Sequence, residues 1–212
     1  MTEPYIEVLL EGAADVPMVR HVLTSRLGLE ERRHFRIHPH HGKGRLPTNP
    51  LSMPDAKHRG LLDQLPAKLR AYGKSLLPHM LVLVVVDVDD EDCRDLLRRL
   101  NEMLAALPRR PRVLFRLAIE ETESWFLADP NAIRTAFPKA KISLLKGMEA
   151  DAIVGAWERL AAVLSVDLPV TGRDKAAWAD AIAPYLSLDP PCSPSLGKLL
   201  TGLKRYLDEV RP

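Results

Sequence analysis

An α/β fold, with a mainly parallel sheet flanked by helices and a helical C-terminal extension, is predicted here by three observations. Apolar, β-branched runs alternate with helical periodicity between residues 5 and 130, the pattern of strands joined by crossover helices. The strongest run, Met80 to Val86 (MLVLVVV), is apolar throughout, as a strand covered on both faces must be. From about residue 138 onward only helical periodicity remains, interrupted at Pro169, Pro190 and Pro191.

Each element follows in turn. Tyr5 to Leu10 is a short apolar run closed by Glu11-Gly12 and reads as a buried strand. Asp15 is placed to cap a helix whose apolar positions, Val16, Val19, Val22, Leu23 and Leu27, recur at helical spacing, and Gly28 is placed to end it. Phe35 to His38 is a second short strand. The next stretch, PHHGKGRLPTNPLSMP, is too rich in Gly and Pro for regular structure. Leu61, Leu62, Leu65, Leu69 and Tyr72 then mark a helix. Beyond the valine-rich strand, Asp90 to Leu107 is expected to be helical and Val113 to Ile119 to form a fourth strand, leading into the acidic segment Glu120 to Asp129. Helices near Asp151 to Leu164, Asp174 to Leu186 and Ser195 to Val210 complete the chain. The expected organisation is an α/β core over residues 1–137 and a helical extension over 138–212 packed on the same domain.

Composition narrows the function classes. With 212 residues, 46% apolar and 27% charged, the chain is not disordered and can bury a core without metal or disulfide support. Its two cysteines, Cys93 and Cys192, lack any Cys-x-x-Cys or Cys/His pattern, so neither a disulfide framework nor a zinc site is indicated. No leader pattern and no apolar run of about 18 residues is present, which leads us to expect a cytoplasmic protein with no membrane association. The net charge of +2 says little about partners; its distribution says more. Residues 32 to 45 hold five Lys or Arg and four His without one acid, whereas residues 87 to 95 hold six acids and one Arg. A concentrated basic loop and a concentrated acidic turn in one chain suit a site that holds an anion beside a cation.

In a parallel sheet, ligands gather at the carboxyl ends of the strands, and three predicted strand ends carry acids: Glu11 with Asp15, Asp87 with Asp89, and Glu120 and Glu121 with Glu123. Each alone could be a cap or a strand terminator. Together they would repel one another unless a cation intervened, and oxygen-only donors favour Mg²⁺ or Mn²⁺. If the third strand stayed extended, Asp87 and Asp89 would point the same way and reach one ion. A Walker-B reading of Leu81 to Asp87 needs a phosphate-binding loop, and Gly42-Lys43-Gly44-Arg45 is too short to be one. Lys43 and Arg45 could contact nucleic-acid phosphates with help from the backbone of Gly42 and Gly44, or simply sit in a solvated loop. His38, His40 and His41 are close enough in sequence to hold a transition metal but lack further ligands at matching spacing. Trp125 could stack on a base, although at helical spacing it fits a core; Trp157 and Trp178 read as packing residues.

Glu11, Gly12 and Asp15 after the first strand, with Asp87 and Asp89 after a later one, resemble the Toprim motif of topoisomerases, bacterial primases and overcoming-lysogenization-defect nucleases. Over most of its length the chain is more specifically similar to the bacterial Toprim-like proteins called domain of unknown function 4276, through LLEGAAD, GKGRL, VVVDVDD, AIEETESWFLAD, GRDKAAWADAIAP and SPSLGKLLTGL. Where Toprim sequences often carry a third Asp, this chain has Glu91, with Asp90 and Asp92 out of phase. The resemblance implies a Toprim-like, Rossmann-like core and a Mg²⁺- or Mn²⁺-dependent endonuclease hydrolysing DNA or RNA. Asp87 and Asp89, with Glu11 or Asp15, would hold the metal; Glu11 could instead be the general acid or base. Glu120, Glu121 and Glu123 are candidates for a second metal, and Lys175 for the lysine that contacts the scissile phosphate. It also implies an ABC- or SMC-like ATPase partner in a bacterial defence or DNA-repair system, and it allows a homodimer. Two other functions remain open at this point: a non-catalytic adaptor for such an ATPase, and a phosphohydrolase acting on a small nucleotide.

Overall fold

The computed structural model describes residues 3–89, 91–152 and 154–211. Four strands, β1 (Ile6–Leu10), β2 (Phe35–Pro39), β3 (Leu81–Asp87) and β4 (Arg112–Ala118), form one all-parallel sheet in the order β2-β1-β3-β4. The expected α/β class is the one found. The first three expected strands and the fourth all appear, with ends shifted by a residue or so. The order makes the chain leave β1 toward one side and β3 toward the other, so a crevice opens between their carboxyl ends, where ligands collect in sheets of this kind.

Helices cover both faces. α1 (Val16–His21) runs on through a π-helical turn at Val22–Arg26 and ends at Gly28, whose φ of 65° is costly for any other residue. The Leu29 N–H reaches back to the Leu23 carbonyl to close that end. α2 (Leu61–Ser75) and α3 (Cys93–Ala105) lie on the other face, α3 capped by the Asp92 carboxylate, which accepts from the Arg94 and Asp95 N–H groups at 2.9 Å each. The helix expected from Asp90 therefore starts at Cys93; Asp90 itself lies outside the described residues. Between β4 and residue 145 two further helices, α4 (Glu123–Leu127) and α5 (Pro130–Ala136), and a 3₁₀ turn at Ile142–Leu145 occupy ground where no periodicity foretold them. They are too short to show a repeat of 3.6. α6 (Ala156–Leu164), α7 (Gly172–Ile182) and α8 (Pro194–Val210) finish the chain.

The strand alternation sorts side chains into two cores. Ile6, Val8, Leu10, Leu81, Leu83 and Val85 face a large cluster with Trp125, Leu160, Ile182 and Leu203; Leu9, Val82, Val84 and Val86 face a smaller one with Leu65 and Leu100. Every residue of β3 up to Val86 is buried, each such side chain contributing roughly 1.5–3 kcal/mol. The larger cluster draws on β1, α1 and α4 as much as on α6, α7 and α8, so residues on both sides of position 138 share one interior. Trp125 belongs to that interior: it is 1% exposed and its indole N–H donates to Ser195 Oγ at 2.7 Å, the packing role rather than the base-stacking one. Cys93 and Cys192 are free thiols, and among the described residues no helix is long and apolar enough to cross a membrane.

Candidate metal and phosphate site

Glu11 follows β1 and Asp87 ends β3, so the central pair of strands delivers both carboxylates to the crevice. The Asp87 N–H donates to Glu11 Oε1 at 2.8 Å, which joins the two strand ends across the gap. Asp15 does not cap α1: the residue is already helical, at φ −78° and ψ −19°. Its carboxylate instead turns inward, accepting the Gly12 N–H at 3.0 Å and the Thr122 hydroxyl at 2.7 Å. Thr122 thereby ties the segment after β4 to the segment after β1. Glu121 and Glu123 complete the acidic group, with Glu123 only 5% exposed.

Burial and mutual repulsion both act on these acids. Burial pushes the Asp87 carboxyl well above the usual carboxylate range, and the charges of Asp15, Glu11, Glu123 and Glu121 push it further. Glu11 is raised to about 8, chiefly by burial and then by Asp15, against the pull of the Asp87 N–H. Asp15 is raised by burial, which outweighs its hydrogen bond from Thr122, and by Glu123. Glu121 is raised to about 7 by burial and by Glu123. Two lysines act on the group: Lys43, whose charge lowers the pKa of Glu11, and Lys175, whose charge lowers those of Asp15 and Glu121. Lys175, on α7, places Nζ 3.6 Å from Glu121 Oε1 and 3.4 Å from Glu123 Oε1. The Trp157 ring lies 4.9 Å from that ammonium, and the Trp157 N–H donates to Glu121 Oε2 at 3.0 Å. The capping box of Thr171 and Asp174 starts α7 one turn earlier and so fixes where Lys175 emerges. The sequence presents Trp157 as a packing residue; its part in steering Lys175 has no sequence signal, since α6 and α7 meet only in the fold.

Two expected members stand apart. Asp89 does not continue the strand: its φ of 51° is left-handed, so the alternation that would align it with Asp87 is broken. Its carboxylate meets Lys43 Nζ at 3.0 Å. Glu120 is also left-handed, at φ 63°, and its carbonyl accepts the Asp89 N–H at 3.1 Å, which binds the two turns together through backbone. Lys43 pairs in addition with Glu91 at 2.9 Å and donates to the Val88 carbonyl at 2.9 Å. Burial alone would lower its pKa, but the hydrogen bonds it donates to Glu91 and Asp89 raise it. The basic loop thus turns Lys43 inward onto the acidic turn, whereas Arg45 stays exposed, its N–H donating to Asp63 Oδ1 at 3.0 Å. The Gly42 N–H is spent on the Glu11 carbonyl at 2.8 Å. Gly44 and Gly60 touch backbone to backbone: a Cβ on Gly60 would lie 2.5 Å from the Gly44 Cα, so this closure needs glycine. His38 pairs with Glu7 at 2.5 Å, and His40 Nδ1 lies 2.8 Å from the Leu10 carbonyl; the histidines disperse.

Among the described residues, no group of three or more Asp, Glu, His or Cys is spaced to hold a metal ion. The donor set nonetheless fits one kind of ion. Mg²⁺ keeps most of its waters and takes only one or two carboxylates, and the Glu11, Asp15 and Asp87 group offers oxygen donors whose repulsion a divalent cation would relieve. No curated protein and no solved structure matches the chain. A family model does match, over residues 10–204, a span from the end of β1 through most of α8 that includes every residue of the acidic crevice, and the chain belongs to that family, described as a domain of unknown function (DUF4276).

Proposed function

We propose that the chain is a Toprim-type nuclease that hydrolyses phosphodiester bonds in DNA or RNA with the help of Mg²⁺ or Mn²⁺. One observation carries this reading: Glu11, Asp15 and Asp87 share the crevice at the strand switch point, with pKa values raised by burial and mutual repulsion and with Lys175 ion-paired to the neighbouring Glu121 and Glu123. A divalent ion bound by Asp87 with Glu11 or Asp15 would supply Lewis acidity and charge balance at a phosphate. The chain's own groups do the rest. Glu11 Oε1 is engaged by the Asp87 N–H, so where Asp87 and Asp15 hold the ion, Glu11 Oε2 is the oxygen that would pass a proton to the departing oxygen as water adds to phosphorus and gives up its own proton to solvent. Lys175 offers an ammonium to a non-bridging phosphate oxygen, its direction set by the Trp157 ring. Exposed Arg45 extends the phosphate contacts outward, and Asp89, now held by Lys43, is a reserve ligand. The partner in this reading is a separate ABC- or SMC-like ATPase of a defence or repair system, with which the lack of an ATP phosphate-binding loop in the chain is compatible.

A second reading is favoured by the ion pairs that hold Asp89 and Glu91 on Lys43: a non-catalytic adaptor for such an ATPase, its acids tied up structurally. Incubation of the purified chain with single- and double-stranded DNA and RNA, with Mg²⁺, Mn²⁺ or chelator, separates the two. The nuclease reading expects cleavage that needs the divalent ion and falls about 100-fold or more in Asp87→Ala and Glu11→Ala. Cleavage that Asp87→Ala leaves intact, or none with any substrate, overturns it.

A further inference from the structure

β4 is the outer strand of the sheet, and α8 packs along it in the opposite direction. The Arg116 Nε donates to the Lys198 carbonyl at 2.9 Å near the start of α8, while Arg112 pairs with Glu209 and lies 5.0 Å from the Tyr206 ring near its end. A groove of about 650 Å³ opens beside Arg116 between α8 and the segment 188–191, lined in part by Lys198 and Lys204, and a hollow of about 450 Å³ on α8 itself, lined by Thr201, Lys204, Arg205, Asp208 and Glu209, continues it. The two together exceed what one bound phosphate would fill, and they run along the helix as a track.

The charges of this track are not balanced from within. Among the described residues Arg116, Lys198, Lys204 and Arg205 make no salt bridge, although Arg20, Arg33 and Arg98 elsewhere on the surface each have a carboxylate partner. Of the acids at its margins, Asp189 is held by Arg26 and Glu209 by Arg112; Asp208 stands at the far end. Arg116 is half-buried, and both burial and the nearby charge of Arg205 work against its protonated form. Two guanidinium groups held together without a counter-charge favour an anion between or beside them. Gly202 makes the approach feasible, because a Cβ there would stand 2.1 Å from Arg116 Nη2. The track also leads to the proposed site: Arg116 pairs with Val85 and lies two residues, about 7 Å, before Ala118, the partner of Asp87.

We propose that the basic face of α8, with Arg116 beside it, is a binding track for the sugar-phosphate backbone of a nucleic-acid strand, carrying it to or from the acidic crevice. The track rests on the nuclease reading for its choice of polyanion. Backbone contacts of this kind position a strand without reading its sequence.

The test is fluorescence anisotropy with labelled single-stranded DNA and RNA in chelator, where no hydrolysis occurs. The double variant Lys198→Glu/Arg205→Glu alters exposed side chains only, and its thermal melting should match the parent. It should bind at least about 10-fold more weakly and lower the slope of log affinity against log salt by about 1–2. Lys74→Glu, an exposed charge change on α2, should bind as the parent does. Equal weakening by Lys74→Glu, or an unchanged affinity and slope in the double variant, or no binding of either polymer by the parent, overturns the track. Binding that depends on Lys198 and Arg205 with no cleavage in Mg²⁺ leaves the track standing and removes the nuclease reading instead.

Discussion

Asp151 and Asp87 are both half-buried aspartates against the larger core, and the fold treats them in opposite ways. The Asp151 carboxylate accepts from Ser193 Oγ at 2.7 Å, the Ser195 N–H at 2.7 Å and Ser195 Oγ at 3.0 Å. Ser195 in turn takes the Trp125 indole N–H. This network links α4 to the start of α8 and leaves no charge without a donor. Asp87 receives no side-chain or backbone donor among the described residues and faces four other carboxylates. Satisfied burial is what a fold does for itself; unsatisfied burial of like charges marks a candidate functional site.

The comparison predicts mutational effects of opposite sign. Asp151→Ala leaves two serine hydroxyls and a backbone N–H without their acceptor and should cost about 3 kcal/mol in urea unfolding, because hydrogen bonds to a buried charge are among the stronger ones. Asp87→Asn removes a repelling charge at nearly constant volume and should stabilise the chain by about 1 kcal/mol at pH 8 while abolishing divalent-dependent activity. A destabilised Asp87→Asn would place Asp87 with Asp151 as a structural acid.

Acidity sharpens the same contrast. Glu11, with an ordinary value of 4.5, is held at about 8, and Glu121 at about 7. Between those limits the folded chain keeps protons that the unfolded chain has released. Their contribution to stability is therefore full below about pH 4.5 and is lost as pH rises toward 8. The melting temperature should fall by about 5 °C between pH 5 and pH 8. Millimolar Mg²⁺ should restore it at pH 8 and do little at pH 5, where the carboxyls are protonated. A melting temperature that rises over this range, or that ignores Mg²⁺ at pH 8, would contradict the crowded-acid description.

The smallest effect is expected at Lys43. Its partners Asp89 and Glu91 are largely exposed, so Lys43→Ala should change stability by less than about 1 kcal/mol. Removing a cation beside Glu11 should tighten Mg²⁺ binding about 5-fold in calorimetric titration. Looser binding would mean that Lys43 helps build the site rather than holding part of it back.

What the sequence discloses about this site follows from what local chemistry can encode. Asp87 is legible because a valine-rich strand must end somewhere, and Glu11 because Glu-Gly closes an apolar run. The departures have a common cause in backbone turns. Nothing in VVVDVDD announces that Asp89 is left-handed, since Asp tolerates that region without requiring it. Asp15 has the residue type of a cap but is already inside the helical region, with Gly12 and Thr122 competing for its carboxylate. Lys43 lies in a loop whose direction is decided by the Gly44 and Gly60 contact, a meeting of residues from separate segments. Lys175 came from resemblance, and its neighbour Trp157 from neither pattern nor resemblance.

Lys175 is carried by α7, more than fifty positions beyond the last carboxylate it approaches. A fragment ending at α4 would keep the acids but lose the ammonium that steadies them, and would uncover much of the larger core. Sheet and trailing helices are therefore two halves of a single instrument, joined through one shared interior.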